Sequence, residues 1–169
     1  MQTNRWAALT GTLVLVVCAC LQAEPAPKRI RPPYFAEQGW YSNDPEALRK
    51  SVDDLLENAP EPGLSGRPMA LIVPHAGHRY SGSVAAHAYK AVAPDAFDRV
   101  LLIGPCHRTP VRGASVSDLD AHRTPLGDVP LDRETCARLR QHALFKSVPA
   151  VDRTEHSLEV QLPFLQRRL

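Results

Sequence analysis

Apolar and polar positions fall in blocks along the chain, each about as long as one secondary-structure element. Leu48, Val52, Leu55 and Leu56 recur at i, i+4, i+7 and i+8 and form one apolar stripe. Ahead of them, Asn43-Asp44-Pro45-Glu46 offers a capping side chain, a proline for the first turn and an acid at the positive end of the dipole. Pro60, Pro62 and Gly63 end the stripe, so the spacing predicts a helix between these limits. Two short runs, Met69–Val73 and Arg99–Ile103, are almost wholly apolar and stop at Pro74 and at Gly104-Pro105. Runs of this length, bounded in this way, read as buried strands. Between them Val84, Ala88 and Val92 share a face of a helix predicted over 83–92. Strand, helix and strand together have the length of one βαβ unit, about 30 residues. Further helices are predicted from an Asp132 cap through Leu139, and over Ser157–Gln166 with an interruption at Pro163. The alternation predicts an α/β fold with a mostly parallel central sheet flanked by helices.

The first 34 residues read differently. Met1–Arg5 carries one positive charge and no acid, and Ala7–Leu21 is an apolar run of fifteen. A membrane-spanning helix needs about 20 residues, so the run suits the core of a signal peptide. Two processing routes are open. Cleavage after Leu21-Gln22-Ala23 would release a free protein, whereas Val17-Cys18-Ala19-Cys20 has the look of a lipoprotein box with Cys20 as the lipidated residue. The alternative is a buried helix at the start of a soluble fold. The expected organisation is a signal peptide over 1–23, a Pro-rich linker over 24–34 and the α/β domain over 35–169. The expected location is the cell envelope, periplasmic or lipid-anchored, with membrane contact only through Cys20.

Composition narrows the function. The chain has 169 residues, 44% of them hydrophobic and 22% charged, which excludes a disordered tail and a polytopic membrane protein. Twenty Lys and Arg against eighteen Asp and Glu leave a net charge of +2, too little basic surplus to make nucleic acid a partner. Four cysteines, at 18, 20, 106 and 136, are too few and too uneven for a disulfide-stapled scaffold.

The candidate chemistry lies just past the two predicted strands. The first runs into Pro74-His75-Ala76-Gly77 and the second into Gly104-Pro105-Cys106-His107. A right-handed crossover puts both carboxyl ends on one edge of the sheet, where open α/β folds bind ligands. His75 and His107 could therefore converge on one metal ion, or each could simply bond backbone carbonyls. Imidazole suits zinc, iron, copper and nickel alike. Cys106 adjoins His107 but points away on an extended loop and reads as a small hydrophobe; Cys136 reads as core. Glu155-His156-Ser157 is either an ordinary helix start or a segment that brings His156 into the crevice as an acid/base group. His78 could reach the crevice from the loop after His75. His87 and His142 read as bystanders, and the spacing around His122 says nothing of its role. No Gly-rich phosphate loop, CxxC pair, nucleophile elbow or HExxH is present.

Six blocks, in order, resemble the Memo family, whose bacterial and archaeal members are called AmmeMemoRadiSam system protein B. They are Gly39-Trp40-Tyr41 with Asp44-Pro45, Pro74-His75-Ala76-Gly77, Tyr80-Ser81-Gly82, Gly104-Pro105-Cys106-His107, Arg123-Thr124-Pro125-Leu126-Gly127, and Glu155-His156-Ser157-Leu158-Glu159 with Gln161-Leu162-Pro163. The resemblance implies a fold like that of the class III extradiol dioxygenases, which are non-haem iron enzymes. It also implies that His75 and His107 are metal ligands and favours iron or copper over zinc. Dioxygen or a small molecule would then be the partner at the metal. Cys106 stands where the family commonly has serine, and Arg108 where members often carry a second histidine. The family continues well beyond the last block, with a further histidine and a cysteine ligand. The α/β domain is therefore expected to be incomplete at its C-terminal end, with the third ligand absent from this chain. The export segment makes a radical-SAM partner doubtful. Three functions remain open: metal-dependent redox or dioxygenase-like catalysis, a metal- or partner-binding module without turnover, and a fragment with no independent function.

Overall fold

A computed structural model describes residues 28–94 and 96–169. The predicted signal peptide, Cys18, Cys20 and the first part of the linker lie outside the described residues. Among those residues no helix is long and apolar enough to cross a membrane.

The chain is a mixed α/β structure. It runs β1 (Ile30–Arg31), α1 (Tyr34–Glu37), α2 (Pro45–Asn58), α3 (His78–Lys90), β2 (Ala114–Ser115), β3 (Ala121–Thr124), β4 (Gly127–Pro130), α4 (Arg133–Leu139), β5 (Phe145–Lys146), α5 (Pro149–Thr154), a 3-10 turn (Glu159–Gln161) and α6 (Leu162–Arg168). Among the described residues, two small sheets stand in place of the central parallel sheet expected from the sequence. One has the order β1-β3-β4, with β1 parallel and β4 antiparallel to β3, and the other pairs β2 with β5 in parallel.

Met69–Val73 and Arg99–Ile103 are the main departure. Both are irregular, and among the described residues neither makes a backbone hydrogen bond to a neighbouring strand. Leu71 and Val73 pack against the core, while Met69, Ile72, Leu101 and Ile103 are largely exposed. Apolar patterning reports that a segment needs cover. It does not supply the neighbour whose N–H and C=O groups would complete a ladder.

The helices follow their sequence signals more closely. Asp44 caps α2 by accepting a hydrogen bond from the Ala47 N–H at 2.7 Å, and Leu48, Val52 and Leu56 form its buried face. In α3 the expected face of Val84, Ala88 and Val92 packs only at its far end, where Val92 is buried just past the helix. Ser81, Gly82, Ala85, Ala86 and Tyr89 are buried and Val84 is exposed. Small residues let the α3 backbone approach α2, and Tyr89 stacks on Phe164 of α6 with ring centroids 5.1 Å apart. Asp132 caps α4 as expected, but no residue of α4 is buried, so Cys136 is half-buried rather than core. Pro163 sits in the first turn of α6, where its missing N–H costs nothing.

A buried ionic knot joins the amino-terminal strand to the 3-10 turn. The Arg31 guanidinium pairs with Glu159, and both side chains are almost fully buried. Arg31 also donates to the carbonyls of Asp152 and Glu155. Glu159 accepts further bonds from the Phe35 N–H at 2.8 Å and the Tyr41 hydroxyl at 2.7 Å.

His122 lies beside this knot, 4.0 Å from an Asp152 carboxylate oxygen and too far for a hydrogen bond. Burial, aided by the Arg31 charge, pushes its pKa down to about 4. In an unfolded chain an imidazole titrates near 6.5. The stability His122 contributes as a neutral group is therefore complete above pH 6.5 and is lost as the pH falls toward 4. At about 1.4 kcal/mol per unit the loss approaches about 3 kcal/mol. Burial pushes the facing Asp152 carboxyl up, which works in the opposite sense. Urea unfolding of wild type and His122→Gln from pH 7 to 4.5 isolates the imidazole: the variant should lose less stability on acidification. Parallel curves would contradict this.

Candidate metal centre

Two loops and one short segment build the site. His75 lies just ahead of α3, His107 follows Gly104-Pro105, and His156 stands between α5 and the 3-10 turn. Their ring centroids are 5.1 Å apart for His75 and His107, 4.4 Å for His107 and His156, and 5.7 Å for His75 and His156. One nitrogen from each ring lies within 4.8 Å of the other two. Tetrahedral metal–imidazole bonds of about 2.0 Å place ligand nitrogens about 3.3 Å apart, so an ion would need the three nitrogens to draw together by at most about 1.5 Å.

The segment Glu155–Gln161 holds the two loops together. Ser157 Oγ donates to the Pro105 carbonyl at 3.1 Å, and Gln161 Nε2 donates to the Pro74 carbonyl at 3.0 Å. Tyr89 in turn donates its hydroxyl proton to Gln161 Oε1 at 2.9 Å. Each histidine loop is thus bonded, at the residue before or two before the histidine, to the segment that carries His156. Gly104 allows this approach, since a Cβ there would lie 2.5 Å from Ser157 Oγ.

Glu155 is the electrostatic centre of the arrangement. Its carboxylate accepts from the His107 N–H at 2.6 Å, the His156 N–H at 2.9 Å and the Ser157 N–H at 2.8 Å, and lies 2.9 Å from His107 Nδ1. Burial pushes its pKa up, but these bonds outweigh burial and hold the carboxyl at about 2. The group is an anion throughout the neutral range.

The His156 ring is walled by Trp40, 4.4 Å away between centroids, and by Phe35 at 5.6 Å. Burial lowers its pKa, which favours the neutral, metal-ligating form. Its Nδ1 is buried, makes no hydrogen bond and lies 3.4 Å from Glu155 Oε1. A buried imidazole nitrogen without a hydrogen-bond partner is a feature a bound cation would satisfy.

The remaining histidines are elsewhere. His78 stacks on Tyr41, and its Nε2 bonds the Val160 carbonyl at 2.9 Å, so it faces the core rather than the cluster. His87 bonds the Ser83 carbonyl on the exposed side of α3, and His142 is exposed near the end of α4. Cys106 is exposed, and burial together with the Glu155 charge pushes its thiol up, away from the thiolate a metal would need. The sequence placed the third ligand outside this chain, yet the cluster contains a third imidazole. Sequence reasoning also passed over Glu155, Ser157 and Gln161 as positioning groups; their place in one compact block with His156 was the available signal.

A mixed α/β fold and three converging imidazoles define the class: an α/β protein with a candidate mononuclear metal centre. The family profile described as Memo-like protein matches residues 31–169. The chain belongs to this family. It is 34% identical to Protein MEMO1 of Danio rerio over 131 residues, 77% of this chain and 43% of the relative. It is 37% identical to Protein MEMO1 of Xenopus laevis over 132 residues, again 77% and 43%. With Protein memo-1 homolog of Caenorhabditis elegans it shares 37% identity over 129 residues, 76% of this chain and 36% of the relative. The chain thus spans about two fifths of the length of these curated relatives.

Proposed function

We propose that this chain carries a mononuclear metal site of the Memo family in which His75, His107 and His156 hold one divalent ion. The observation that carries the reading is the approach of the three ligand atoms to within 4.8 Å. His156 stands in it as the third ligand rather than as an acid or base, because its buried ring offers a nitrogen within 4.8 Å of those of His75 and His107. Imidazole alone does not choose the ion, and the family resemblance favours iron or copper over zinc. A bound ion of either kind supplies Lewis acidity and one-electron redox chemistry. The chain's own residues do the rest. Glu155, Ser157 and Gln161 hold the loops, Trp40 and Phe35 shield the buried side, and the half-open side chain of His107 leaves an approach from solvent for dioxygen or a small molecule. An extradiol-dioxygenase-like fold and export to the envelope belong to the same reading. Sequencing the mature amino terminus tests the second, with a start near Cys20 or Glu24 expected and intact Met1 counting against it.

The metal itself is tested by loading the purified protein separately with Fe²⁺ under anaerobic conditions, Cu²⁺ and Zn²⁺. After desalting, elemental analysis should find one ion per chain for at least one metal. Substoichiometric retention of all three would overturn the reading.

A further inference from the structure

The His107 side chain is more exposed than the other two rings of the cluster, and an exposed imidazole can turn freely about χ1 and χ2. Here it does not hang free. Its Nδ1 lies 2.9 Å from Glu155 Oε1, and its own backbone N–H donates to Glu155 Oε2 at 2.6 Å. The carboxylate that grips His107 at both points also caps the His156 and Ser157 N–H groups. The backbone carbonyl of Glu155 accepts from the Arg31 guanidinium at 3.0 Å. An ionised carboxylate only accepts, so the proton of the neutral imidazole must sit on Nδ1, and Nε2 keeps its lone pair.

We propose that Glu155 is a positioning residue for the cluster: it fixes the ring orientation and tautomer of His107, so that Nε2 is the nitrogen offered to a divalent cation. This inference rests on reading the three histidines as a metal site. The carboxylate also raises the basicity of the opposite nitrogen, as carboxylate partners of metal-bound histidines do. One buried side chain thus links the two sequence blocks that carry His107 and His156. Glutamine cannot replace it: if its carbonyl accepts from the ring and the 156–157 amides, its NH₂ faces the His107 N–H, donor against donor.

The test is heteronuclear NMR of the metal-free protein at pH 8, reading ring-nitrogen shifts of His107 in wild type and Glu155→Gln, together with a Zn²⁺ titration of both. Wild type should show His107 as the Nδ1–H tautomer, and Glu155→Gln should show a mixture of tautomers and bind Zn²⁺ about 10- to 100-fold more weakly. An Nε2–H tautomer in wild type would overturn the proposal, whether or not the variant folds. So would an unchanged tautomer and affinity in a folded Glu155→Gln. If wild type shows the Nδ1–H tautomer but takes up no Zn²⁺, the orientation of His107 stands and the metal reading fails instead.

Discussion

Glu159→Ala is expected to cost about 3–5 kcal/mol of folding stability, the range for removing one partner of a buried ion pair. Arg31 and Glu159 are almost fully buried, and the guanidinium would be left without its counter-charge. The Phe35 N–H and the Tyr41 hydroxyl would lose their acceptor in the same step. Burial, the main cause of the raised Tyr41 pKa, survives the substitution, so ionising the hydroxyl is no easy escape. Because a domain of this size has about 5–15 kcal/mol in all, the variant should lose a large share of its stability. Arg31→Ala should behave similarly. The double variant Arg31→Met with Glu159→Gln removes both charges yet keeps an acceptor for Phe35 and Tyr41, and should recover most of the loss. Urea midpoints of the three variants check this. A loss below about 1 kcal/mol for Glu159→Ala would show that the knot is worth no more than a surface pair.

His75→Ala, His107→Ala and His156→Ala should each weaken metal binding by more than the 10- to 100-fold typical of losing a supporting group. Each removes an imidazole of the cluster, and two remaining ligands leave an ion half solvated. His142→Ala serves as the control. It is exposed near the end of α4, outside the cluster, and should bind as wild type does. Calorimetric titration of the four variants with Zn²⁺ reads the difference directly. Equal affinities across all four would place the metal elsewhere.

How much of this was legible depended on how local the information was. The α2 helix could be read outright, because the cap at Asp44, the proline at the first turn and the apolar stripe all lie within fourteen residues of one another. His75 and His107 could be singled out because each follows an apolar run that stops at a proline. The runs themselves misled: Met69–Val73 and Arg99–Ile103 carry strand composition, but a strand is a relation between two segments, and the described chain provides no ladder partner for either. The packing face of α3 was misread for a related reason. Valines mark hydrophobicity, but the close approach to α2 favours Gly82, Ala85 and Ala86. The site was legible in part. The sequence offers His156 either as part of a helix start or as a crevice acid/base group, and its convergence with His75 and His107 depends on bonds from Ser157 to Pro105 and from Gln161 to Pro74 across 52 and 87 positions. Arg31 and Glu159, 128 positions apart, leave no periodic trace at all.

The most direct measurement of the central claim is X-ray absorption spectroscopy at the zinc edge on the purified chain loaded with one equivalent of Zn²⁺. Three imidazoles at about 2.0–2.1 Å, with any remaining position filled by oxygen, is the predicted first coordination sphere. A sulfur neighbour at about 2.3 Å, or fewer than two imidazoles, would contradict it.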